Sequence, residues 1–132
     1  MIKAPTINRW KRTARFFLAI FMVGVGVLHF VAPKTFIAIV PKFLPAPREL
    51  VLISGFFEIV GGVGLLIPRT RRAAGLGLIA LFVAVFPANI NMAVQNMPIG
   101  GKQYPLLLWL RLPLQFALMA WAWWCSEGEQ RA

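Results

Sequence analysis

Four apolar stretches joined by short polar or proline-rich connections set the pattern of the chain: Ala14 to Val31, Leu50 to Ile67, Ala73 to Val94 and Leu106 to Trp124. They are 18, 18, 22 and 19 residues long. A helix needs about 17 to 25 apolar residues to cross the hydrocarbon core of a bilayer. The pattern predicts an all-α polytopic membrane protein, a four-transmembrane-helix bundle with spans at about 14–31, 50–67, 73–94 and 106–124. These make a single membrane domain over residues 1–132. Lipid offers no partner for free backbone N–H and C=O groups, and four segments are too few strands for a closed barrel, so helices are required. The first stretch follows a basic run, as a signal peptide would. The sequence after it, LHFVAPK, carries no small-x-small cleavage pattern, and three more stretches follow, so it reads as a retained helix.

Composition removes the competing classes. Residues of the hydrophobic set make up 59% of the chain and charged residues 14%, whereas a soluble domain is about a quarter charged. The single cysteine, Cys125, excludes an intramolecular disulfide, a Cys-x-x-Cys redox pair and a multi-cysteine metal site. The single histidine, His29, excludes a His-rich metal centre within one chain. No metal site and no covalently bound cofactor is expected. The formal net charge of +10 could suggest nucleic acid, but the basic residues come in bursts between apolar runs, not on a face interleaved with reading groups. The expected partner is the lipid bilayer, with no nucleic acid.

The same bursts predict orientation. Four spans place both termini on one side. That side, with the connection after span two, would hold Lys3, Arg9, Lys11, Arg12, Arg15, Arg69, Arg71, Arg72 and Arg131. The other side would hold Lys34, Lys42, Arg48 and Lys102. Nine basic residues against four predict N-in and C-in, both termini cytoplasmic. Trp10, Tyr104, Trp121, Trp123 and Trp124 fall near span ends, where aromatic anchors belong.

Small residues mark possible close approaches of helices: Gly55, Gly61, Gly62 and Gly64 in span two, Ala80, Ala84 and Ala88 in span three. Pro87 and Pro113 interrupt spans three and four and free the carbonyls of Val83 and Trp109. The first outer loop, Ala32 to Glu49, combines four prolines with Phe36, Ile37, Ile39, Val40, Phe43 and Leu44. It is too apolar to lie free in water. It reads either as a segment resting in the membrane interface or as a lid over the bundle.

Polar residues inside the spans are costly, on the order of 2.5 to 3.5 kcal/mol for a charged group on insertion scales, and point to function. Glu58 and Arg111 are the two deep charges, with His29, Asn89, Asn91 and Gln115 as polar company. With the orientation above, all fall in the outer half of the bilayer, which predicts one outward-opening polar pocket. Arg111 and Gln115 share a helix face, as do Ser54, Glu58 and Gly62. Asn89 and Asn91 are two apart, so only one of them faces the pocket. The simplest arrangement is a salt bridge between Glu58 and Arg111, serving either as a register device or as part of a site. The candidate ligand-binding residues are therefore His29, Glu58, Asn89, Arg111 and Gln115. Glu58, His29 and Arg111 are the candidates for chemistry, since His29 and Glu58 can exchange protons and Arg111 can hold an anion or a carbonyl. Cys125 reads as a bystander.

The runs GVLHFVAPKTFIAIVPKFLPAP, SGFFEIVGGVGLLIPRTRRAAGLGL and FPANINMA resemble the DoxX-like family of small four-helix bacterial membrane proteins. The most specific parts are His29-Phe30 with its proline loop, the Ser-Gly-x-x-Glu element ending in Glu58, and Pro87-Ala88-Asn89. The resemblance implies a multi-pass protein of the bacterial inner membrane with a link to redox complexes. It carries over no catalytic residue. Three functions follow as expectations. One is a redox-associated subunit binding a quinone or small anion in the polar pocket, with electrons supplied by a partner. Another is a non-catalytic accessory subunit of a larger membrane complex. The last is a small-solute transporter built as a homo-oligomer.

Overall fold

The computed structural model describes residues 6–96, 98 and 102–127. Lys3 and Arg131, counted above toward orientation, lie outside the described residues. The chain forms α1 (Thr6–Val31), α2 (Pro33–Ile37), α3 (Pro47–Leu66), α4 (Arg71–Val94) and α5 (Pro105–Ser126). All but α2 are long and apolar enough to cross a membrane. The spans end close to where the apolar pattern placed them. The exception is α1, whose helix runs on through the basic residues before Ala14. Lys and Arg are good helix formers, and counting apolar residues sees only the part of a helix that lipid requires. Prolines open α2, α3 and α5, at the position where a missing N–H costs nothing.

The four long helices pack in the cyclic order α1, α3, α4, α5, and α1 touches α5 least. Side chains such as Phe16, Phe17, Phe56, Phe57 and Phe116 are about half exposed, a surface suited to lipid and hostile to water. The core falls into two clusters. The larger joins Leu18, Ala19, Met22, Leu65, Leu78, Phe82, Ala122 and Cys125. A smaller one joins Met92, Ala93 and Leu108, with Ile39 and Leu112 against it.

Glycines set the α1–α3 crossing. A Cβ on Gly26 would lie 2.7 Å from the Gly55 carbonyl oxygen, and one on Gly62 would lie 2.8 Å from the Ala19 carbonyl oxygen. Gly61 and Gly64 meet α4 through Leu78 and Ala74. The alanine stripe behaves differently. Ala80 and Ala84 are exposed and line an apolar groove of about 850 Å³ between α3 and α4.

At the end of the bundle where α1 and α4 begin, basic side chains are structural as well as topological. Arg15 is 2% exposed and donates from Nε to the Cys125 carbonyl at 3.0 Å. Arg71 donates from Nε to the Leu65 carbonyl at 2.8 Å. Each cation thus sits on the carbonyl-rich C-terminus of a neighbouring helix, α5 and α3, where unpaired carbonyls and the helix dipole both favour it. Trp121, expected as an interface anchor, donates to the Ala14 carbonyl at 3.2 Å. Arg15→Ala is expected to lower stability by about 1.5 to 3 kcal/mol, the range for a hydrogen bond to a charged group. An unfolding titration in mixed micelles measures it, and a loss below about 0.5 kcal/mol would show that Arg15 is not a cap.

Candidate functional site

Between the two core clusters lies a cavity of about 300 Å³. Met22 and Phe82 line it from the larger cluster, with Leu118 packed against that cluster, and Phe36 and Ile39 line it from the loop after α1. All five residues singled out from the sequence, His29, Glu58, Asn89, Arg111 and Gln115, line it, with Ser54 beside Glu58. Each comes from a different turn of the bundle: α1 brings His29, α3 Glu58, α4 Asn89, and α5 both Arg111 and Gln115. Helical spacing explains the convergence, since residues four apart on α3 and on α5 share a face.

The polar groups form two sets. On one wall His29 Nε2 lies 3.2 Å from Glu58 Oε2, and both side chains are under a tenth exposed. His29 Nδ1 lies 2.8 Å from the Val25 carbonyl of its own helix. Across the cavity runs a directional chain. Arg111 Nη2 donates to Asn89 Oδ1 at 3.4 Å, and Asn89 Nδ2 donates to Gln115 Oε1 at 2.7 Å. Gln115 Nε2 then donates to the Phe82 carbonyl at 2.8 Å. Every donor in this chain points the same way, so each bond polarises the next. The chain ends beside the carbonyl that Pro87 frees, on Phe82 and not on Val83.

The expected salt bridge between Glu58 and Arg111 does not form. Glu58 pairs with His29, and Arg111 with the neutral Asn89. The cause is helix order: α3 packs directly on α1, whereas α5 lies across the cavity beside α4. Opposite charge predicted attraction and could not predict which helices are neighbours. Asn89 and Asn91 diverge as expected, for Asn89 is buried in the cavity wall while Asn91 donates to the Ile39 carbonyl at 3.3 Å.

The loop between α1 and α3 contributes more than its sequence alone could settle. Phe36 stacks on His29 with ring centroids 3.9 Å apart and planes 16° from parallel. Ile39 packs on the smaller core cluster. Phe36, Ile39, Val40, Pro41 and Leu44 of this loop line the cavity. Ala46, between Pro45 and Pro47, takes φ 51° and ψ 58°, a left-handed conformation that costs an alanine about 1 to 2 kcal/mol. Phe36 and Ile39 carry no polar signal, and the sequence marked them only as part of a loop too apolar to lie free in water.

Among the described residues no group of three His, Cys, Asp or Glu side chains gathers as a metal would need. The family described as "Domain of unknown function (DUF8561)" matches residues 18–126. The chain belongs to this family. The DUF8561 match takes in most of α1, the loop, and all of α3, α4 and α5, and so every residue of the cavity wall. No curated protein matches the chain, and no solved structure does.

Proposed function

We propose that this DUF8561 chain is a small redox-associated membrane subunit whose cavity binds a quinone head group or a small anion. The observation that carries the reading is the cavity itself: a polar, charged site enclosed by four apolar helices. Packing alone does not call for such a site. Arg111 and Ser54 offer donors to an oxygen-bearing ligand, and Met22, Phe82 and Leu118 offer apolar contact to its body. The resemblance to the DoxX-like family at His29-Phe30, Ser54 to Glu58 and Pro87 to Asn89 is what suggests the redox link. It also supplies the setting, the bacterial inner membrane. Electrons would come from a partner protein, since one histidine and one cysteine are too few to ligate an iron–sulfur cluster within the chain. The excess of basic residues on the side of α1's start supports N-in and C-in, which puts the cavity in the outer half of the bilayer.

Native mass spectrometry of the protein released gently from its own membranes tests this. A small adduct on the wild type, lost in Arg111→Ala, is the expected result. Recovery only as a ligand-free, fixed-ratio part of a larger assembly would sink it. That outcome belongs to a second reading, an accessory subunit, which the exposed Ala80 and Ala84 groove favours because small residues let a partner helix approach closely.

A further inference from the structure

The proton and charge inventory of the cavity identifies its occupant more narrowly than its shape does. Three side chains that line it are ionisable: His29, Glu58 and Arg111. His29 Nδ1 lies 2.8 Å from the Val25 carbonyl oxygen, which can only accept, so Nδ1 carries a hydrogen. Nε2 then faces Glu58 Oε2 at 3.2 Å. With no proton between them, two lone pairs would confront each other between side chains that are both buried. One shared proton removes the conflict, whether it resides on the ring or on the carboxyl. In either placement the pair as a whole is neutral.

Arg111 is therefore the uncompensated charge. Its guanidinium has five N–H donors and stays protonated, and among the described residues it donates to the neutral amide oxygen of Asn89 at 3.4 Å. Among the described residues no carboxylate besides Glu58 lines the cavity, and Glu58 is engaged with His29. The lined space carries a net charge of +1 within largely apolar walls.

We infer that the occupant is a small amphipathic monoanion: a carboxylate-class head group held by Arg111, on an apolar body lying against Met22, Val25 and Phe82. The inference rests on the reading of the cavity as a ligand site and narrows it. A planar oxyanion accepts two parallel N–H bonds from the guanidinium fork and cancels its charge. A neutral quinone can accept a hydrogen bond through one carbonyl oxygen but does neither.

Isothermal titration of the full chain in phosphatidylcholine nanodiscs, which contribute no competing anionic lipid, decides between them. The probes are benzoate, its uncharged isostere benzamide, and the neutral quinone duroquinone. Benzoate is expected to bind at least about tenfold more tightly than benzamide, in keeping with the strength of charge-assisted bonds. Arg111→Gln removes that preference, and Arg111→Lys retains it at weaker affinity. Benzamide or duroquinone binding as tightly as benzoate would overturn the monoanion and leave the cavity a ligand site. So would benzoate binding that Arg111→Gln does not weaken. Failure of all three probes to bind the folded wild type would overturn both readings. Should Arg111→Gln not fold, the benzoate and benzamide comparison on the wild type decides alone.

Discussion

Gly55→Leu is expected to prevent a stable bundle, and Gly55→Ala to destabilise it by about 1 to 3 kcal/mol, the usual range for overpacking. A Cβ at position 55 would lie 2.5 Å from His29 Cβ and 2.9 Å from the Gly26 carbonyl oxygen. A backbone oxygen cannot rotate out of the way, so α1 itself must move, and His29 moves with it. Gly24 and Gly77 supply the contrast, since a Cβ at either meets nothing within 4 Å. Alanine there is expected to be neutral or to stabilise by up to about 1 kcal/mol through helix propensity. Unfolding titrations of the four variants in mixed micelles, followed by tryptophan fluorescence, rank them. If Gly55→Leu unfolds no earlier than Gly24→Ala, the α1–α3 crossing is not where the glycines put it.

That contrast marks how far the sequence could be read. The four spans were legible because lipid imposes one demand, a sustained apolar run, and the run is visible residue by residue. Which glycine faces a neighbour was not. Gly24 and Gly26 are two apart in one helix, yet only Gly26 meets α3, and nothing local distinguishes them. The same applies to the alanine stripe: Ala80 is exposed in the groove between α3 and α4, whereas Ala84 and Ala88 line the cavity. Lys11 and Arg15 were read as orientation signals because a charge beside a span does that whatever else it touches. That Arg15 caps α5 depends on where α5 ends, more than a hundred residues away.

The site was legible in its membership and illegible in its pairing. Polar residues in an apolar helix must converge to escape lipid, so His29, Glu58, Asn89, Arg111 and Gln115 could be gathered before any helix was placed. Which of them touch is set by the cyclic order of the helices, and that order is written in the packing surfaces, not in the polar residues. Glu58 was matched to Arg111 on charge alone and in fact meets His29.

The pairing of Glu58 with His29 makes the second large prediction. His29→Leu leaves the Glu58 carboxyl facing apolar side chains, and removing one partner of a buried pair costs about 3 to 5 kcal/mol. Glu58→Gln should lose far less, because its amide N–H can still donate to Nε2. The double variant His29→Leu with Glu58→Leu replaces the pair by apolar groups of similar volume, a change that is often neutral or stabilising. It is therefore expected to be more stable than His29→Leu alone, with a coupling of at least about 2 kcal/mol, near the upper part of the range for residues in contact. Unfolding titrations of the wild type, His29→Leu, Glu58→Leu and the double variant supply the cycle. Simple additivity would mean that the two side chains do not depend on each other. The shared proton would then have no basis, and the neutral pair that leaves Arg111 uncompensated would fall with it.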